Sequence, residues 1–208
     1  MAGFNINNFR SQLTGDGARP NLFNVQIDGL AGLGLSYGGQ AGQKLSFMAK
    51  SAQLPGSTLG MVPLYYFGRE LKFAGNRTFT DWTIQIINDE DMVVRRAIEQ
   101  WMNGIATHVG NVRNLGSGGT FAQNLGQPTY TLDGIVSQYS KAGGAIKSYR
   151  MVGMFPIDMA PIDLDWGSND TIEEFSVTFA YQWWESDTTD STASGATGSG
   201  QAPVAVGQ

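Results

Sequence analysis

Apolar residues alternate with polar ones along several stretches of the chain. In Asn21–Asp28, Phe23, Val25 and Ile27 alternate with Asn24, Gln26 and Asp28, which predicts a strand with one polar face. In Thr78–Ile87, Trp82, Ile84 and Ile86 share one side and Thr83 and Gln85 the other. Glu173–Glu185 carries the longest alternation. Phe175, Val177, Phe179, Tyr181 and Trp183 oppose Glu174, Ser176, Thr178, Ala180 and Gln182. At ~3.4 Å per residue one strand of that length would run about 40 Å, roughly twice the usual span, as suits a sheet bordering water. Thr129–Ser140 and Ala145–Phe155 read as a hairpin through Lys141-Ala142-Gly143-Gly144.

The pattern changes period in Asp89–Asn103. Val94, Ile98, Trp101 and Ile105 form a single helical stripe, which requires a sheet face to pack on. Asn88 reads as the cap, Asp89, Glu90 and Asp91 as first-turn acids, and Gly104 as the C-cap. Ala74–Arg77 reads as a turn cluster before the Trp82 strand. Gly29–Gln43 is glycine-rich and predicts a long hairpin loop, with Lys44–Leu54 as the returning strand. Val109–Pro128 reads as a second loop, and Pro156–Asp170 as irregular. Within the Phe4–Asp16 lead, Ile6, Phe9 and Leu13 have helical spacing. The expected core is Trp82, Ile84, Ile86, Ile98, Trp101, Phe175, Val177 and Phe179. These elements define a mainly β fold: an antiparallel β-sandwich or half-barrel with one packed α-helix.

Met61–Phe67 departs from both periods. It is a dense apolar run, but Gly60, Pro63 and Gly68 are unsuited to a central strand. A hairpin or extended segment whose apolar residues meet a partner fits it better.

Composition sharpens the picture in one respect. The formal charge is −5, which disfavours a general nucleic-acid binder. No Lys or Arg follows Arg150, whereas half of the 18 acids do, so residues 1–150 are basic and the remainder acidic. Such asymmetry suits head-to-tail self-association, or else a solvated acidic region. The absence of cysteine excludes disulfides and thiolate metal sites. The start, Met1–Gln12, has no long apolar run, so no signal peptide is expected, and no stretch approaches the ~20 residues of a membrane span. Ser186–Gln208 is a low-complexity Ser/Thr/Gly/Ala extension beyond a domain at 1–185.

Catalytic chemistry finds no support. His108 sits beside a glycine-rich loop, and the chain has no G-x-S-x-G elbow. Gly38–Lys44 fails the P-loop pattern, since the Lys is displaced and followed by Leu45. Asp163–Ser168 fails the calcium-loop pattern, since its Gly is one place early and no distal Glu follows. Glu173 and Glu174 are adjacent on a strand and point to opposite faces. Catalytic residues, cofactors and metals are therefore all expected to be absent. Trp166 and Trp184 remain as a sugar-stacking pair in an alternative reading, a carbohydrate-binding β-sandwich.

One segment carries a specific resemblance. Gly75-Asn76-Arg77-Thr78-Phe79, Asp81-Trp82 and then Asn88-Asp89-Glu90 closely resemble a strand running into a helix start in the tail tube proteins of contractile-tailed (T4-like) bacteriophages. Ala18-Arg19-Pro20-Asn21-Leu22-Phe23 resembles that family's first strand entry. Leu164-Asp165-Trp166-Gly167-Ser168-Asn169, Glu173-Glu174-Phe175 and Trp184-Glu185 resemble its last strand. Gly29–Gln43, Val109–Pro128 and the C-terminal extension depart from its pattern.

The resemblance implies a structural protein of the virion tail, assembled in the host bacterial cytoplasm. Subunits of that family form homo-hexameric rings whose sheets join into one barrel. Rings stack into a tube that conducts the genome during ejection. Implied partners are further copies of the chain and the tail sheath, baseplate and tail terminator proteins, with tape measure protein and DNA as transient lumen contents and no membrane binding. The tube of a phage-tail-like bacteriocin or of a type VI secretion system would share the fold. Inter-ring contacts are expected from Leu54, Pro55, Met61, Pro63, Leu64, Tyr65, Phe67 and Arg77 within an arm at Ala52–Asn76. The lumen would be lined by Asn24, Gln26 and Asp28, or by Glu174, Ser176, Thr178 and Gln182.

Overall fold

The computed structural model describes residues 5–106, 108 and 130–186. The expected loop Val109–Pro128 lies outside these residues, as does the extension after Ser186. The described chain contains α1 (Ile6–Gln12), β1 (Phe23–Asp28), a 3-10 turn at Leu30–Leu33, α2 (Gly38–Met48) and β2 (Ala49–Ala52). There follow β3 (Ser57–Tyr66), β4 (Arg69–Phe79), β5 (Trp82–Ile87) and α3 (Val93–Ile105). The last strands are β6 (Leu132–Tyr139), β7 (Ala145–Met159), β8 (Glu174–Ala180) and β9 (Trp183–Ser186).

Seven strands form one antiparallel sheet in the order β1-β6-β7-β8-β5-β2, with β9 also paired to β7. The 15-residue β7 bends this sheet in two, because β9 pairs with its first half and β8 with its second. Apolar alternation then directs one face of each half inward. Val25, Ile27 and Val136 from one half meet Trp82, Ile84, Ile86, Phe175, Val177 and Phe179 from the other in a single core. Gly134 shows how closely the halves approach: a Cβ there would lie 3.2 Å from the Trp82 ring and 2.9 Å from the Met154 sulfur. The mainly β fold read from the sequence is observed, with all eight expected core residues buried.

Two helices, not one, pack on this sheet. α3 buries Val94, Ile98 and Trp101 as its stripe requires, and the Trp101 indole donates to the Tyr130 carbonyl at 2.7 Å. α2 occupies the last six residues of the segment expected to be a loop, Gly38–Gln43, and the start of the expected returning strand. Its Ala41 and Leu45, one turn apart, are buried, and β2 covers only Ala49–Ala52. The glycines there serve packing: a Cβ on Gly38 would lie 2.3 Å from the Leu30 carbonyl oxygen.

Three further expectations are corrected. α3 does not begin at an Asn88 cap. Asn88 instead hydrogen-bonds Glu173 through both its backbone N–H and its carboxamide, and Met92, in a left-handed conformation at φ 50°, precedes the first turn. The three acids thus lie in the turn before the helix, and Gly104 is inside it, ahead of the C-cap Ala106. Ala74–Arg77 is not a turn but part of β4. Finally, Glu173–Glu185 is two strands. A bend at Tyr181-Gln182 shifts the alternation, so Trp184 packs inward against Tyr149 while Trp183 is exposed and not in the core.

Candidate assembly surfaces

The most distinctive surface is the β3–β4 hairpin. It is a two-stranded sheet of its own, unattached to the seven-stranded one. Every residue of β3 is exposed, and all but Gly75 and Phe79 of β4 are exposed too. Phe67 and Gly68, both at positive φ, make the two-residue turn that joins the strands. The hairpin is thus an arm extending from the domain, at Ser57–Phe79 and not Ala52–Asn76. Leu54 and Pro55 belong to its root.

Register sorts the arm's side chains into two faces. Val62 opposes Phe73, Leu64 opposes Leu71, and Tyr66 opposes Arg69, giving one face apolar up to its tip. Met61, Pro63 and Tyr65 lie on the other face, opposite Ala74, Lys72 and Glu70. The residues expected at the inter-ring contact therefore come from both faces, and Val62, Tyr66, Leu71 and Phe73 share a face with Leu64. Alternation across a short hairpin is the signal for these four. Phe67 stands at the turn and Arg77 near the root. Arg69, Lys72 and Arg77 make no ion pair among the described residues.

Two tryptophans hold the arm's root. Trp82 Nε1 donates to the Gln53 carbonyl at 2.7 Å, and Trp184 Nε1 donates to the Gly56 carbonyl at 3.3 Å. Trp184 is thereby committed to packing. Trp166, in a separate loop, is fully exposed. The two do not form a paired stacking platform.

The lumen candidates occupy the polar, non-core faces of two different parts of the sheet. Asn24 lies opposite Ser137, Gln26 opposite Ile135, and Asp28 opposite Asp133. Arg150, the cation of this face, is held by Asp133, which raises its pKa, with Glu185 and Asp28 adding to the effect. On β8, Thr178 shares a 3.1 Å hydrogen bond with Thr83, Ser176 opposes Gln85, and Glu174 pairs with Lys50 at 2.5 Å. Both surfaces are polar, with their cations matched by acids. Gln182 does not continue the β8 row: it sits at the bend, its N–H bonded to the Val152 carbonyl.

At the far end of β5, Lys44 bridges Asp89 at 2.6 Å and Asp91 at 2.8 Å. Hydrogen bonding to Lys44 lowers the Asp89 pKa, and the same bonds raise that of Lys44. Gly38–Lys44 thus lies in a helix whose Lys is committed to two carboxylates. Asp165 accepts from the Gly167 N–H at 3.1 Å, which makes Asp163–Ser168 a turn. No group of metal-ligating side chains occurs among the described residues, and no described helix is long and apolar enough to cross a membrane.

The described residues form an antiparallel sheet with two edge strands and an exposed apolar arm that has no partner among them, the surfaces of a structural protein and not of a catalytic site. Comparison with known proteins leads to the same class. The phage tail tube protein family matches residues 18–187. The chain is 34% identical over 173 residues to the tail tube protein gp19 of Enterobacteria phage T4, covering 83% of this chain and 93% of that one. The phage T6 protein matches to the same extent. Among solved structures, the sheath–tube complex of an extracellular contractile injection system has the same fold, at 15% identity and a TM-score of 0.53, over 85% of this chain and 95% of its own. The chain belongs to the phage tail tube protein family. It is a structural component of a contractile tail, and so of the virion, and not an enzyme.

Proposed function

We propose that the chain assembles into homo-hexameric rings through the open edges of its sheet, and that the rings stack into the inner tube that conducts the genome. The arm carries this reading. A two-stranded ribbon with Val62, Leu64, Tyr66, Leu71 and Phe73 in water has no core of its own and gains one only by covering. Free edges support the ring contact: among the described residues β1 pairs only with β6, and β2 only with β5, so each keeps an unpaired side there. Residues 1–185 act as the tube domain and 186–208 as an extension. The sheath, terminator and baseplate proteins are its partners in the tail, tape measure protein and DNA its transient contents, and the host bacterial cytoplasm the place of assembly. A polar bore with no unmatched cations lets phosphates pass without being held.

Size and shape test the reading. Gel filtration and negative-stain microscopy of the full chain are expected to show rings or tubes. A monodisperse monomer at high concentration would overturn it.

A further inference from the structure

The arm's counterpart can be located on the same chain. The arm leaves and rejoins the domain at the Trp82 end of β5. β8 runs antiparallel to β5, pairing Trp82 with Phe179 and Ile87 with Glu174. The segment that enters β8, Ala160–Glu173, therefore lies at the opposite end of the sheet from the arm's root. It exposes Leu164, Trp166 and Ile172 around an open groove of about 620 Å³, also lined by Pro161, Asp163 and Thr171. It contains four acids and no base. Asp163 and Asp170 are exposed and meet no cation among the described residues.

These two surfaces are complementary in both respects that matter. Each presents large apolar side chains in water, and each carries unmatched charge, basic on the arm and acidic on the loop. Because they sit at opposite ends of one sheet, a chain cannot satisfy both within itself, but a head-to-tail neighbour can. We infer that the apolar face of the arm docks on the Ala160–Glu173 loop of a second copy of this chain, with Arg69, the cation of that face, set against Asp163 and Asp170. The inference rests on the inter-ring reading of the arm and names the surface the arm meets. Wrong registers would leave the Arg69 guanidinium and the loop's carboxylates unpaired at a contact that excludes water, so charge selects the pairing while apolar area supplies attraction.

Charge reversal tests it in the full chain. Arg69→Glu reverses the docking face of the arm, and Asp163→Lys with Asp170→Lys reverses the loop. All three residues are exposed, and unchanged far-UV circular dichroism would show that the fold is kept. Each reversed chain alone is expected to stop at rings. An equal mixture of the two is expected to form tubes, because each reversed arm then meets a reversed loop and each native arm a native loop. A loop-reversed chain that forms tubes as the parent does would overturn the pairing. If the arm-reversed chain still failed to do so, the inter-ring role of the arm would stand. Mixtures that fail to form tubes would also overturn the pairing. Should the loop reversal prevent folding, Asp163→Asn with Asp170→Asn serves instead: it is expected to raise about tenfold the concentration at which tubes appear, and no change would count against the pairing.

Discussion

Gly60 and Gly75 meet backbone to backbone across the arm: a Cβ on Gly75 would lie 3.1 Å from the carbonyl carbon of Gly60. Pairing shifts at this point, from Leu59 with Arg77 to Met61 with Ala74. The irregularity needs a residue without a side chain on each strand.

Gly75→Val is therefore expected to distort the arm and leave the domain intact. The melting temperature should change little, because the arm shares no core with the domain. Tubes seen by negative stain should become short or absent, while rings persist. Leu64→Ser with Tyr65→Ser should act in the same sense by removing apolar area from each face.

Trp82→Phe probes the root. The ring stays in the core, but the Gln53 carbonyl loses its indole donor. The lost bond and the smaller ring left in a buried site are together expected to destabilise the domain by about 1–3 kcal/mol, read by denaturant unfolding. Tubes should also form at higher protein concentration, because the arm is held less firmly.

The channel can be mapped with cations. Lys placed at Ser176 and Thr178, or at Asn24 and Gln26, adds phosphate-binding charge to one polar face or the other. In assembled particles the pair that lines the bore should slow DNA ejection, in a salt-dependent way, without preventing tail assembly. Normal ejection from both variants would exclude both faces.

Acid should release the Lys44 clip. Asp89 has a pKa below its ordinary value of 3.8, so the stability it contributes is present above that value and is lost as pH falls through the folded-state pKa. Lys44 is shifted upward from 10.5, so its share persists below that pH and is lost only in stronger base. Lys44→Met is thus expected to lower the melting temperature at pH 7, and the difference from the parent should shrink toward pH 2.

The sequence made β1, β5, β8 and the α3 stripe legible because each buries one regular face. It concealed α2, whose run Gly38-Gly39-Gln40-Ala41-Gly42 has the composition of a loop. Contact with Leu30, remote in pattern though not in sequence, is what favours Gly38 there. The Glu173–Glu185 alternation failed for a different reason. Local periodicity cannot register the bend at Tyr181-Gln182, where the chain moves from pairing β5 and β7 to pairing β7 alone. Among the proposed assembly residues, the arm was visible as apolar residues beside glycine and proline. Its two faces were not, because they depend on a register that only the pairing of β3 with β4 sets. The opposition of arm and acidic loop was equally hidden, since it is the direction of β8 along β5 that separates them.

The arm springs from one end of the sheet only, so a stack in which each arm docks on the opposite end of the next copy is a polar filament. Its two tips are chemically unlike: one displays a crown of hairpins, the other the surfaces that hairpins seek. Such a polymer can elongate at different rates from its two tips, and no single cap can seal both. On that arrangement, a length-controlled tube built from this chain would be closed by two distinct end-binding proteins, one shaped to receive arms and one shaped to offer them.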